Sequence, residues 1–259
     1  MKKIFLLLSI GLLLFSCGPQ ENPDPGIVFG SFTDSRDGHQ YETVTIGSQV
    51  WMAENLAYLP SVSKPTSGSY SSPYYYVNFY NRTNVADAKI TINYQTYGVL
   101  YNWTAAMNGA ESSSSKPSGV QGACPSGWHL PSDAEWTQLE TYLANNGYNY
   151  DGSIGGDDNR DKIAKSIASA TGWDASGIEG APGNTDYPAY INKSGFSALP
   201  GGYRAYSGFL SVGIIGFWWS STESDTNDAW GRYLVYNYSD VDRSHYAKDY
   251  GFSVRCVRD

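Results

Sequence analysis

Residues 216–257, GFWWSSTESDTNDAWGRYLVYNYSDVDRSHYAKDYGFSVRCV, constrain the fold more than any other stretch. Trp218 and Trp219 lead into a polar run over 220–228, and residues 230–238 then alternate, placing Trp230, Arg232, Leu234, Tyr236 and Tyr238 on one face. Ser239-Asp240-Val241-Asp242 reads as a turn, followed by Arg243-Ser244-His245-Tyr246 and a last short run ending at Cys256 and Val257. A period of two, broken by turn residues, predicts short strands paired antiparallel.

The remaining chain fits the same class. Tyr41-Glu42-Thr43-Val44-Thr45-Ile46 alternates, Gly47-Ser48 turns, and Gln49-Val50-Trp51-Met52 pairs back. Ser132-Asp133-Ala134-Glu135 fits a capping box, and Trp136, Leu139 and Leu143 recur on one helical face. Further helices are expected over 104–108 and 160–171, and strands over 89–94, 196–199, 201–206 and 209–212. Residues 34–38 read as a solvated turn, and 61–84 as an irregular surface loop. The fold class is α+β, mainly antiparallel short strands with two to three helices and long loops.

The N-terminus reads as a targeting signal. Lys2 and Lys3 precede an apolar run over 4–15, too short for a spanning helix of roughly 20 residues. Leu14-Phe15-Ser16-Cys17 resembles a lipobox, which implies lipidation of Cys17 and a membrane anchor. Residues 1–17 are thus a signal and 18–31 a flexible linker, opening with proline-rich GPQENPDPG; 32–259 form one domain. The formal charge of −8 becomes −10 once the two lysines of the signal are removed. That balance argues against nucleic acid as a partner. Lipidation of Cys17 leaves Cys124 and Cys256, whose default in an oxidising compartment is a disulfide; two buried thiols are the alternative. Closing their loop, with a separation of 132 residues, stabilises by about 5 kcal/mol in the chain-entropy model.

Several segments resemble the Fibrobacter succinogenes major paralogous domain, common in bacterial lipoproteins. They are Ile46-Gly47-Ser48-Gln49-Val50-Trp51-Met52-Ala53-Glu54-Asn55-Leu56, Tyr97-Gly98-Val99-Leu100-Tyr101-Asn102-Trp103, and Cys124-Pro125-Ser126-Gly127-Trp128-His129-Leu130-Pro131 with Glu135-Trp136. Gly195-Phe196-Ser197-Ala198-Leu199-Pro200-Gly201-Gly202-Tyr203-Arg204, Trp218-Trp219-Ser220-Ser221-Thr222-Glu223 and Gly251-Phe252-Ser253-Val254-Arg255-Cys256-Val257 complete the set. The helix start at Leu130-Pro131-Ser132 and the terminal Gly-Phe-x-x-Arg-Cys-Val strand are also similar to C-type-lectin-like domains and sulfatase-modifying enzymes. That similarity implies a lectin-like fold and a bridge between Cys124 and Cys256.

A disulfide leaves no thiolate for sulfatase-modifying chemistry. His39, His129 and His245 form no ligand motif, and Ser220 and Ser221 have no local histidine or nucleophile elbow, so no enzyme is expected. The expected function is binding of a glycan or a surface or host protein through Trp230, Tyr236, Tyr238, Asp240, Asp242, Arg243, His245 and Tyr246. Tyr, Asn, Asp and Ser supply rigid aromatic contact and adaptable hydrogen bonds. The opposing reading makes the same tyrosines cross-strand pairs of an exposed hairpin. Residues 236–250 also look similar to the varied segment of lectin-like proteins diversified by retroelements. No cofactor is implied. Ca2+ on Glu223, Asp225, Asn227 and Asp228, or on the acidic loop at 151–161, is the metal alternative. A structural cell-surface component is the alternative function.

Overall fold

A computed structural model describes residues 27–258. Cys17, its lipobox and most of the expected linker lie outside them. The elements in order are β1 (Val28–Thr33), β2 (Gln40–Ile46), β3 (Gln49–Met52), β4 (Tyr75–Tyr76), α1 (Val85–Lys89), α2 (Ile92–Tyr97), β5 (Leu100–Tyr101), α3 (Trp103–Met107), α4 (Asp133–Asn145) and α5 (Ala164–Ile167). Then follow β6 (Tyr203–Ala205), β7 (Gly208–Leu210), β8 (Ile215–Glu223), β9 (Asp228–Val235), β10 (Asp242–Ala247), β11 (Phe252–Ser253) and β12 (Val257–Arg258). The class is α+β, with mostly antiparallel pairing. β1 starts inside the stretch expected to end the linker.

A four-stranded sheet runs β1-β2-β3-β12, a six-stranded sheet β10-β9-β8-β11-β5-β4, and β6-β7 form a hairpin. The expected hairpin at 41–52 forms in the register Thr43↔Met52 to Ile46↔Gln49. β8, β9 and β10 pair in succession, with an irregularity between Trp219 and Glu223. α4 begins as its sequence predicts: Ser132 accepts from the Glu135 backbone N–H, and Glu135 accepts from that of Ser132. Trp136, Leu139 and Leu143 are all buried.

Two apolar clusters hold these parts. One joins α4, α5, Val44, Ile46 and Trp51 of the first sheet, and Trp218 and Leu234 of the second. The other joins α3 and the chain around Leu56 to Tyr101, Phe217, Trp219 and Phe252 on the second sheet's opposite side. The Cys124–Cys256 disulfide closes beside this second cluster.

Four local expectations need correction. Residues 89–94 are not a strand: α1 and α2 form there because Asn84 and Thr91 cap their N-termini through side-chain oxygens. The helix expected over 160–171 shrinks to α5, since Ala168 turns extended and bridges to Ala198. Of the strands expected over 196–212, only β6 and β7 form. The stretch expected as a surface loop over 61–84 carries β4 and buries Val62, Tyr76, Val77 and Tyr80, whereas the turn at 34–38 forms with residues 35–38 exposed and only Asp34 buried, its carboxylate holding the Arg36 guanidinium at 2.7 Å.

Candidate functional site: a tyrosine face on the six-stranded sheet

Directly opposed residues of an antiparallel pair share a face. The registers Phe217↔Tyr233, Trp218↔Arg232, Asp242↔Tyr233, Arg243↔Arg232 and His245↔Trp230 therefore divide the candidate residues between two faces.

Trp218, Trp230, Arg232, Leu234, Arg243 and His245 fall on the side of α4. Arg232 is completely buried, donating to Glu140 Oε1 at 2.6 Å, Asp133 Oδ1 at 2.6 Å and Thr137 Oγ1 at 3.1 Å. Arg243 donates to both Asp133 oxygens at 2.9 Å and lies 3.5 Å above the Trp230 ring. His245 stands edge-on to Trp230, and its Nδ1 meets Asp228 Oδ2 at 3.0 Å. Burial pushes the Asp133 carboxyl up, but the bonds from Arg243 and the charge of Arg232 outweigh it and hold it below the ordinary value. Trp230, Arg243 and His245 are thus tied into this protein's own ion-pair network.

The opposite face carries Phe217, Tyr233, Asp242, Tyr246 and Phe252. Phe217 stacks on Phe252 at 4.6 Å and on Tyr233 at 5.0 Å. Tyr203 and Tyr250 join them, stacked on each other at 6.2 Å, with Tyr250 stacked on Tyr246 at 6.4 Å. Backbone bonds between Arg204 and Gly251, at 2.9 and 2.8 Å, bring these two tyrosines together from distant segments. A Cβ on Gly251 would lie 2.9 Å from the Tyr76 ring and 3.0 Å from Arg204 Cβ, so glycine permits the approach. Phe217 and Phe252 are buried, whereas Tyr203, Tyr233, Tyr246 and Tyr250 are partly exposed.

Polar groups border the rings. The Tyr233 hydroxyl lies beside Asp242 and Tyr246, and that of Tyr246 beside Ser244. Burial pushes the Asp242 carboxyl up, and nearby Asp240 adds to the shift. The Tyr233 phenol is raised well above its ordinary value, first by burial and then by the charge of Asp242. The result is an aromatic platform edged by hydroxyls and a partly desolvated carboxyl, suited to a ligand with apolar faces and hydroxyl rims.

Of the sequence candidates, Asp242 and Tyr246 lie on this platform. Tyr236, Tyr238 and Asp240 lie beyond the end of β9, in the link to β10. That link is held at Tyr236 N to Ile214 O (2.8 Å) and Val241 N to Arg160 O (3.0 Å). Alternation from Trp230 puts Tyr233 on the other face of the strand, away from the candidates the sequence groups together. Tyr203 and Tyr250 were missed because their approach depends on the non-local pairing of Arg204 with Gly251. The sequence signals for them are the place of Tyr203 inside the segment from Gly195 to Arg204, and that of Tyr250 at the end of the 236–250 run, just before the segment that opens at Gly251.

In the loop around 223–228, the Lys248 ammonium lies 2.8 Å from Glu223 Oε2 and 2.9 Å from the Asp225 and Thr226 carbonyls. Asp225 Oδ1 accepts from the Asn227 and Asp228 backbones, and Asp228 is paired with His245. The acidic loop at 151–161 is likewise engaged, with Asp151 on Lys162 at 2.6 Å. Among the described residues, no three His, Cys, Asp or Glu side chains gather into a metal-holding group. No helix among them is long and apolar enough to cross a membrane.

Neither a curated protein nor a solved structure matches this chain. The family model for the Fibrobacter succinogenes major domain matches residues 44–258, from within β2 to the last strand and across the whole tyrosine face. That match takes in the larger part of the sequence, and the chain belongs to the Fibrobacter succinogenes major domain family.

Proposed function

We propose that this is a cell-envelope binding protein, held at a membrane by lipid on Cys17, whose tyrosine platform binds an extracellular glycan. The observation that carries this reading is the group Tyr203, Tyr233, Tyr246 and Tyr250, partly exposed and in ring contact beside Asp242. Aromatic faces stack on the C–H faces of sugar rings, and the bordering carboxyl and hydroxyls take the sugar hydroxyls. The acidic chain disfavours nucleic acid and other polyanions, so neutral glycans are the preferred class. The resemblance of the α4 start and last strand to lectin-like domains agrees with this role. Catalysis and a cofactor form no part of the reading, and the Lys248 ammonium among the loop oxygens favours binding without calcium.

A glycan array, followed by titration calorimetry on the best hit, tests the proposal. Tyr246→Ala and Tyr250→Ala are expected to weaken binding at least tenfold, about 1.4 kcal/mol each. A chelator is expected to change nothing. Arg243→Ala, on the opposite face, is expected to leave affinity within about twofold, well under 1 kcal/mol. Silence across the glycans, or binding lost through Arg243 rather than the tyrosines, would refute it. The second reading, a structural surface component, is favoured by one observation: Trp230, Arg243 and His245 are engaged with Asp133, Asp228 and one another.

A further inference from the structure

A strand at the end of a sheet presents a row of unpaired backbone groups, and folded proteins blunt such ends with charge, proline, shortness or a covering segment. The two large sheets of this protein end at β1 and β12, and at β10 and β4. β12 is two residues long, and its outer side is taken by His129, whose backbone N–H and carbonyl meet those of Val257 at 2.9 and 3.0 Å. β4 is also two residues long, and its Tyr75 carbonyl accepts from the Ser63 N–H at 2.8 Å. β10 carries Asp242, Arg243 and His245.

β1 has none of these devices. Its six residues, Val28-Phe29-Gly30-Ser31-Phe32-Thr33, hold no charge and no proline, and they pair with β2 at every position without a bulge. Val28 and Phe29 are 58% and 59% exposed. The direction of its free groups follows from β2. The Glu42 carbonyl accepts from the Ala53 N–H, so the Glu42 backbone faces away from β1. In an antiparallel ladder, successive residues turn their backbone groups to opposite sides. Tyr41, Thr43 and Thr45 therefore face β1 and meet Phe32, Gly30 and Val28. Phe29, Ser31 and Thr33 are left facing outward, and among the described residues no backbone bond outside the β1–β2 pairing reaches them.

We propose that β1 is a self-association surface: a second copy of this chain lays its own β1 antiparallel along it, joining two four-stranded sheets into one. The strand fits itself. Centred on Ser31, the pairing sets Phe29 opposite Thr33 and Ser31 opposite Ser31. Every outward residue then meets an outward residue and exchanges two hydrogen bonds with it. On the other face, Phe32 of each copy comes opposite Gly30, a pairing in which an aromatic ring covers an edge glycine. A chain of net charge −8 repels its copies, and an uncharged strand is where two can approach. The preceding segment of the same chain is a poor cover, since Pro19, Pro23 and Pro25 lack the N–H groups a ladder needs. Residues 18–26 span at most about 30 Å. The two Val28 positions of the pair lie at opposite ends of a strand of roughly 20 Å. Both copies thus reach one membrane from Cys17, which raises their local concentration. That membrane effect rests on the lipid-anchor reading; the pairing does not.

Oxidative cross-linking and sedimentation equilibrium on the full-length protein in detergent test this. Ser31→Cys is expected to form a covalent dimer under mild oxidation, because opposed Cα atoms about 5.5 Å apart suit a disulfide. Thr33→Cys, displaced from its copy by roughly 14 Å, is expected to cross-link at least tenfold more slowly. The wild type is expected to self-associate with a Kd on the order of 10–100 μM, as suits a small interface. Ser31→Pro removes an outward N–H and leaves the bonds to β2, so it is expected to weaken association at least tenfold with an unchanged melting temperature. Should the proline unfold β1, Ser31→Lys keeps the N–H, sets two ammonium groups against each other and is expected to weaken association too. Tyr246→Ala leaves the dimer intact, so glycan binding and self-association fail separately. A wild type that stays monomeric at about 100 μM overturns the proposal, even if it captures a strand from another protein. Equal cross-linking at the two cysteine positions, or association unchanged by both Ser31→Pro and Ser31→Lys, overturns it as well.

Discussion

Arg232 sits mid-strand, between Gly231 and Tyr233, where alternation alone makes it one more residue of an exposed face. It is instead buried against α4, donating to Glu140 and Asp133. A strand pattern records which residues share a face but not what covers that face. The α4 pattern had the same blind spot: Trp136, Leu139 and Leu143 announced an apolar stripe, yet Glu140 lies buried beside it as the counter-charge. Removing one member of a buried pair leaves the other uncompensated. Arg232→Met is therefore expected to cost about 3–5 kcal/mol in urea unfolding at pH 7. The sign of its pH dependence is also set. Burial already raises the Glu140 carboxyl, and loss of Arg232 raises it further. A carboxyl raised in the folded state destabilises the fold once pH exceeds its unfolded value, about 4.3. The deficit of Arg232→Met should thus shrink as pH falls from 7 toward that value, and a constant deficit would show that Glu140 is not the group left unpaired.

Elements were legible in proportion to how local their determinants are. The β2–β3 hairpin and the α4 start depend on residues a few positions apart, and both formed as read. α1 and α2 stand where a strand is expected over 89–94; Ile90 and Ile92 are exposed, and the caps at Asn84 and Thr91 decide the helical state. The β6–β7 hairpin holds Tyr203 against Phe217, and its geometry depends on Gly202. Gly202 has φ +61°, and a Cβ there would lie 2.2 Å from the Leu210 carbonyl oxygen and 2.8 Å from the Val212 nitrogen. Backbone cannot rotate aside as a flexible side chain can. Gly202→Ala should therefore cost about 2 kcal/mol or more, read as a lower melting temperature. Tyr203 should shift with the hairpin, so glycan affinity should fall in the folded fraction as well.

At the scale of the whole molecule, residues 252–258 join the two sheets. β11 belongs to the six-stranded sheet and β12 to the four-stranded one, with Cys256 between them bonded to Cys124. In the same segment the Val254 and Cys256 carbonyls accept from the backbone N–H groups of Leu56 and Met52. Replacing both cysteines by alanine frees a long loop in the unfolded chain and is expected to cost about 3–5 kcal/mol. Reductant should lower the melting temperature of the native protein and leave the double variant unchanged.

The sequence by itself determined the class of fold, the first hairpin, the capped helix, the cysteine pair and the family, because each rests on short-range patterns or on residue identity. Tertiary structure decided which side of the last hairpin meets α4 and which carries partly exposed tyrosines, since strand alternation is indifferent to which face is covered. It also brought Tyr203 to Tyr250 and left β1 at an open sheet end. Both depend on which distant segments pair, Arg204 with Gly251 and β1 with β2 alone, and no local pattern records that choice.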